Sequence, residues 1–187
     1  MLTISGREGQ PSLHSAAVTV HTILQLGHPV LRTPADPVTD FDKELRRLVA
    51  DMARTMLDAP GAGLAAPQIG VGLRVFTYHE PHEGAGHVVN PTLEFPDDEF
   101  QDGAEGCLSI RGLSFERPRR QRVVVRGCEQ AGETQTVTAS GFLARCFQHE
   151  VDHLDGVLYV DGLEPTERVA AMRAIRNLTV DAASLRP

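Results

Sequence analysis

Between residues 41 and 58, apolar Leu45, Leu48, Val49, Met52 and Met56 recur at steps of three and four. That spacing predicts an amphipathic helix, with Thr39 or Asp40 as its N-cap and Pro60-Gly61 as its stop. A second helix is expected from Gly141 to Leu154, closed by Gly156 as a left-handed cap. A third, shorter one is expected over 166–178. Elsewhere the period changes to two. Leu73–Tyr78 reads as a strand, and His87–Asn90 as a short strand stopped by Pro91. Residues 120–126 and 133–139, with Val123–Val125 and the alternation of Thr134, Thr136 and Thr138, read as a hairpin joined by Gly127–Gly132. Leu158–Val160 offers one more strand, while Gly63–Gly70 reads as a small-residue loop and 79–87 as a turn. There is no internal repeat. Short antiparallel and mixed strands around one central helix predict an α+β fold rather than alternating βαβ units.

Composition sets the frame. The chain has 187 residues, 41% of them hydrophobic, enough for one compact domain. Residues 1–20 are small and polar and read as a flexible extension. The domain is expected over 21–187, entered through a turn-rich stretch broken by Pro29, Pro34 and Pro37. A net charge of −7 gives no basic footprint for nucleic acid. No apolar run approaches the roughly 20 residues of a membrane span. The N-terminus lacks the basic and apolar regions of a secretory signal. Three cysteines make no disulfide framework, so a reducing cytoplasm is expected. A monomer is the default expectation.

The chemistry is concentrated in His149-Glu150-Val151-Asp152-His153, an HExxH pentapeptide on the second predicted helix. Positions i and i+4 share one helical face, so His149 and His153 can grip one metal ion. Glu150 can then reach a water polarised by that ion. A chance match on an ordinary exposed helix is the plain alternative. A catalytic site needs a third protein ligand and an open position. Cys146 is tempting, but it lies seven residues from His153, roughly 10 Å along the axis. One tetrahedral ion would struggle to reach both, so Cys146 reads as a small buried neighbour. Cys128 has no partner suggested by sequence. Cys107, in the Gly-containing segment Glu105–Ser109, is the choice. His79-Glu80-Pro81-His82-Glu83 also clusters His and Glu, but its proline forbids a regular helix and it reads as a solvated loop. His14, His21 and His28 are isolated.

Three segments read together, Gly61-Ala62-Gly63-Leu64-Ala65-Ala66-Pro67-Gln68, Glu105-Gly106-Cys107-Leu108-Ser109 and Gln148-His149-Glu150-Val151-Asp152-His153, resemble the ordered motifs of peptide deformylase. The resemblance covers roughly residues 21–165. It implies a peptide deformylase-like fold around the metal-binding helix. It also implies a cytoplasmic hydrolase of N-terminal processing in protein biosynthesis. Such an enzyme removes the formyl group from the N-terminal formylmethionine of nascent polypeptides and releases formate. Carried over position by position, Cys107, His149 and His153 match the metal ligands and Glu150 the acid/base. Gln68 and the Leu108 N–H match the donors to the oxyanion. The backbone of Gly61, Ala62 and Gly63 would pair with the peptide. Phe142 and Cys146, with His149 as one wall, would line the methionine pocket. The family holds one divalent metal, Fe(II) in cells and often zinc or nickel after purification.

Some positions depart from the pattern. Ala62 is small where the family more often carries a bulkier aliphatic residue, and 111–117 gives no secure alignment. In some relatives a longer basic C-terminal helix is linked to ribosome docking; Arg168, Arg173 and Arg176 are too few to assert that contact here. Glu105 is expected to orient the Cys107 loop or to pair with an arginine such as Arg145, itself expected to turn outward or meet a carboxylate. Gln148 and Asp152 are expected to make structural polar contacts. Two rivals remain at this stage. One is an HExxH zinc endopeptidase, which would need Glu164 or Glu167 as third ligand. The other is a non-enzymatic module with a closed metal shell.

Overall fold

A computed structural model describes residues 18–80 and 84–184 of the chain. Most of the expected N-terminal extension, with His14, and part of the 79–83 cluster lie outside these residues. Within them the elements run, in chain order, α1 (Lys43–Asp58), β1 (Gly63–Ala65), β2 (Val75–Glu80), β3 (Gly84–Glu94), β4 (Phe100–Gln101), β5 (Ala104–Cys107), β6 (Ile110–Glu116), β7 (Arg119–Arg120), β8 (Arg122–Cys128), β9 (Thr134–Ser140), α2 (Gly141–Leu154) and α3 (Pro165–Ser184). This is an α+β fold. Five strands form one sheet in the order β1-β2-β3-β8-β9, and β4-β7 and β5-β6 form two small ribbons. Every ladder among these strands is antiparallel; the parallel element is an isolated bridge from Asp36 to Leu73. None of the described helices is long and apolar enough to cross a membrane.

The alternation of side chains along each strand builds two cores, one per face of the sheet. Phe76, Tyr78, Val88, Val123 and Val125 point to α2 and pack with Phe147, Val151 and Leu154. Tyr78 and Phe147 meet edge-on at 4.8 Å between centroids, a favoured aromatic geometry. On the other face Val75, Val89 and Leu64 pack with Leu45, Val49, Met52 and Met56 of α1. Helix α2 is thus packed against one face of the sheet from Ala144 to Leu154. A third cluster, with Ile110, Leu158, Tyr159 and Ala171, docks α3 against the β6 ribbon.

Several expected boundaries move. Asp42, not Thr39 or Asp40, caps α1: its Oδ1 accepts from Glu44 N and Leu45 N at 2.9 and 3.0 Å. Part of the expected Gly63–Gly70 loop is strand β1, followed by a 3-10 turn over Ala66–Ile69. Leu158–Val160 is no strand. The chain turns there into a 3-10 helix, Tyr159–Gly162, because the Asp161 carboxylate accepts the Leu158 N–H at 2.9 Å. Helix α3 runs to Ser184, well past residue 178. No glycine or proline interrupts it before Pro187.

Pro91 does not stop β3. The ladder to β8 shifts register between Val89 and Thr92, and a bulge is where a sheet interior tolerates proline. Asn90 takes the left-handed backbone there, with φ of 51°. Its side chain bonds both polar groups of Val38, at 2.8 and 2.9 Å. Asn90→Ala removes both bonds and leaves a poorer left-handed residue. We expect a loss of about 2–4 kcal/mol, read by urea unfolding.

Candidate metal centre and cleft

Helix α2 brings His149, Glu150 and His153 to one buried face; they are 7%, 2% and 1% exposed. Cys107 ends β5 opposite them, where the β5-β6 ribbon turns back at Ile110. Its Sγ lies 3.2 Å from His153 Nε2. Among the described residues, one donor atom each from Cys107, His149 and His153 falls within 4.8 Å of the others. Cys146, on the same helix, points elsewhere and donates to the Ala62 carbonyl at 3.4 Å.

His149 Nδ1 sits 2.7 Å from Glu105 Oε1. A carboxylate only accepts, so Nδ1 carries a ring proton, and Nε2 is the nitrogen that a neutral ring offers to a metal. Imidazole ligands are typically oriented in this way by an outer carboxylate. One thiolate, two imidazoles and a spread of 4.8 Å suit a single tetrahedral divalent ion. The residues fit a metal.

Glu105 is 4% exposed. Arg119 grips it through two bonds of 2.8 and 2.7 Å and reaches Asp152 at 2.8 Å. Arg145, also buried, donates to the Arg117 carbonyl at 2.6 Å and approaches Glu105 at 3.4 Å. It therefore meets a carboxylate rather than turning outward. Arg117 Nη1 lies 3.0 Å from Asp152 without hydrogen-bond alignment, so it contributes charge more than direction. Gln148 ties α2 to β7, accepting from Arg120 N at 3.1 Å and donating to Arg120 O at 2.9 Å.

Burial pushes the Glu105 carboxyl up, but Arg119 and His149 outweigh it and hold it well below its ordinary 4.5. A depressed carboxyl lends stability above its unfolded value, so that share of stability drains as pH falls below about 4.5. Arg119→Met leaves Glu105 buried without its main partner. It should lower folding stability by about 3–5 kcal/mol and metal affinity by roughly 10–100-fold. Unfolding and competitive chelator titration measure the two effects.

Beside the three clustered donors runs a cleft of about 1010 Å³. Gly61, Ala62, Gly63, Gln68, Leu108, Phe142, Cys146 and Glu150 all line it. Gly63 admits no side chain: a Cβ there would collide with the Glu150 carboxylate and lie 2.8 Å from Cys146 Sγ. Gly61 comes equally near Leu108 Cδ1, at 2.7 Å from such a Cβ. Gln68 is 1% exposed. Its Oε1 accepts from Ala65 N at 2.8 Å, which turns Nε2 toward Ser109 Oγ (3.2 Å) and Cys107 Sγ (3.7 Å). Phe142 is 71% exposed at the rim and so is not core, whereas Cys146 belongs both to the core and to the wall. Among the described residues neither Glu150 Oε2 nor His153 Nδ1 finds a hydrogen-bond partner. Burial, reinforced by the charges of Glu105 and Asp152 and opposed by His149, raises Glu150 to about 7. A carboxyl poised there can take and return a proton near neutrality.

Arg117, Arg119 and Ser109 were not singled out by sequence. The available signal was the arginine run at 117–122, facing two motif acids that had to be paired if buried. Glu164 and Glu167 are exposed and outside the donor cluster. Of the isolated histidines, His21 meets Asp51 at 3.3 Å and His28 caps the turn at Pro29–Arg32.

A family profile described as polypeptide deformylase matches residues 20–169. The chain is 57% identical over 159 residues to a peptide deformylase of Acidothermus cellulolyticus, covering 85% of this chain and 87% of that one. A peptide deformylase of Parafrankia is 54% identical over the same shares. Among solved structures, peptide deformylase from Legionella pneumophila superposes with a TM-score of 0.82 at 37% identity, covering 90% of this chain and 100% of that one. The Thermus thermophilus enzyme gives 0.81 at 41%, covering 87% and 96%.

Proposed function

The chain belongs to the peptide deformylase family, and from that premise we propose how its own residues divide the work. It is a metal-dependent hydrolase that removes the N-formyl group of nascent polypeptides and releases formate. The observation that carries the division of roles is Glu150: a buried carboxylate with an unpartnered oxygen, beside three metal donors, at the floor of a cleft.

Cys107, His149 and His153 would hold the ion, which when bound supplies Lewis acidity toward the attacking water and the formyl oxygen. Glu150 takes the proton of that water on its carboxylate and returns it to the leaving α-amine. The Gln68 amide and the Leu108 N–H donate to the carbonyl oxygen as charge grows there, each worth roughly 3–4 kcal/mol in acyl transfer. Their value depends on being fixed beforehand, and Gln68 is held by Ala65.

Strand β1 is the edge of the five-stranded sheet. An edge strand leaves backbone groups for an extended peptide to pair with, which supports Gly61, Ala62 and Gly63 as the substrate's docking backbone. Phe142 and Cys146 form the methionine pocket, with His149 as one wall. The thiolate–imidazole set supports iron, zinc or nickel; the family resemblance supports Fe(II) in cells. Free cysteines and a substrate made on ribosomes support a cytoplasmic location; a monomer whose catalytic domain spans 21–187 completes the proposal. Contact with the ribosome would be transient.

The test sets formyl-Met-Ala against a peptide blocked at both ends around an internal methionine. Formate release from the first alone is expected. Cleavage of the second with formyl-Met-Ala untouched would restore the endopeptidase alternative.

A further inference from the structure

Three consecutive residues of the lead-in segment hold Gln68 and Leu108 of the cleft wall and Ser109 next to it. Leu24 N–H donates to the Gln68 carbonyl at 2.8 Å and Leu26 N–H to the Ser109 carbonyl at 2.9 Å. Between them, Gln25 Nε2 donates to the Leu108 carbonyl at 3.1 Å. The segment is anchored on α1. Thr19 N–H donates to Asp51 Oδ1 at 2.7 Å, His21 N–H to Thr55 Oγ1 at 3.0 Å, and Ile23 is buried in the α1 core. The clasp is therefore fixed to the rigid part of the fold and not to the loops it holds.

The Leu108–Ser109 peptide unit is pinned at both edges. Its carbonyl accepts from Gln25, and its N–H donates to Cys107 Sγ at 3.4 Å. A peptide is a rigid plane, so holding both edges fixes that plane and the Leu108 Cα at its end. The Leu108 N–H is then aimed from a fixed pivot, through the two torsions at that Cα. Gln25 is itself exposed, and its Nε2 also donates to the Ile23 carbonyl at 3.1 Å.

We infer that Gln25 is a positioning residue for deformylation: through the Leu108–Ser109 peptide it keeps the Leu108 N–H aimed at the formyl oxygen. The inference rests on the role proposed above for Leu108. Preorganised donors gain their effect from needing no reorientation as charge develops, so a loosened plane costs turnover more than substrate binding.

Gln25→Met keeps the length and removes the donor; Gln25→Glu keeps the shape and sets a carboxylate against the carbonyl. Both are compared with wild type in kcat and KM on formyl-Met-Ala, thermal midpoint and hydrogen exchange at residues 105–110. We expect kcat to fall about five- to tenfold for Gln25→Met and further for Gln25→Glu. That is well short of the roughly 10²–10³ that losing a donor outright costs. KM and the thermal midpoint stay close to wild type, and exchange at Ser109 speeds up roughly fivefold, the factor of one ordinary hydrogen bond. Wild-type kcat in both variants, or a raised KM with kcat intact, overturns the inference. Failure of wild type to release formate would instead overturn the deformylase reading beneath it.

Discussion

Glu150→Gln yields a folded, metal-loaded protein whose kcat/KM on formyl-Met-Ala is lower by roughly 10²–10⁴, the usual contribution of a positioned acid/base. Glutamine has the shape of glutamate, so it still fits against Gly63, where the backbone leaves no room for a Cβ. It also carries no charge to desolvate, and burial is the leading cause of the Glu150 shift to about 7. A group raised in this way is stabilised in its neutral form, so replacing it with a neutral amide does not weaken the fold. The three clustered donors are untouched, because Glu150 is not one of them. What is lost is the capacity to accept a proton at a buried carboxylate oxygen that has no hydrogen-bond partner among the described residues. Steady-state kinetics with metal analysis on the same sample checks this. Near wild-type turnover would remove Glu150 from the chemistry.

Cys107→Ser loses its metal, and Cys146→Ser does not. The two thiols are both near α2, and only geometry separates them. Cys107 Sγ faces His153 Nε2 at 3.2 Å, while Cys146 Sγ is turned to a backbone carbonyl. A serine hydroxyl is harder than a thiolate and stays protonated at neutral pH, so it cannot replace the sulfur for iron, zinc or nickel. The drop in affinity should exceed the roughly 10–100-fold that loss of an outer-shell partner costs. In Cys146→Ser the ion stays, while the pocket wall becomes more polar and KM for formyl-Met-Ala rises. Metal content after dialysis against a weak chelator separates the two variants. Loss of metal from Cys146→Ser alone would reverse the assignment.

The parts of this molecule legible in sequence are those where local pattern and chemistry coincide. Helix α2 was expected from Gly141 to Leu154 and runs over those residues, since its apolar period, its flanking glycines and its HExxH spacing agree. The β8-β9 hairpin was legible for the same reason. Expectation failed where a distant partner overrides a local signal. Pro91 looked like a stop until Asn90 found Val38 across the fold. Leu158–Val160 failed for a local reason: the stretch is equally apolar as strand or turn, and the Asp161 carboxylate, three residues on, caps the Leu158 N–H and decides for the turn. In the cleft, the HExxH and Glu105–Ser109 segments pointed to three donors, and elimination favoured Cys107 over Cys146. The supporting layer stayed hidden. Arg119 lies 14 residues from Glu105 and 33 from Asp152, and Gln25 lies 83 from Leu108. Contacts at such separations leave no periodic trace. Arginines read as exposed surface unless the acids that bury them are already located.

The most direct measurement follows formate released from formyl-Met-Ala by protein purified without oxygen, with metal per chain determined on each fraction. Formate release is expected to rise in proportion to metal bound in the wild type, and Glu150→Gln at equal loading to stay lower by orders of magnitude. Release independent of metal content, or equal rates from the two proteins at equal loading, would contradict that expectation.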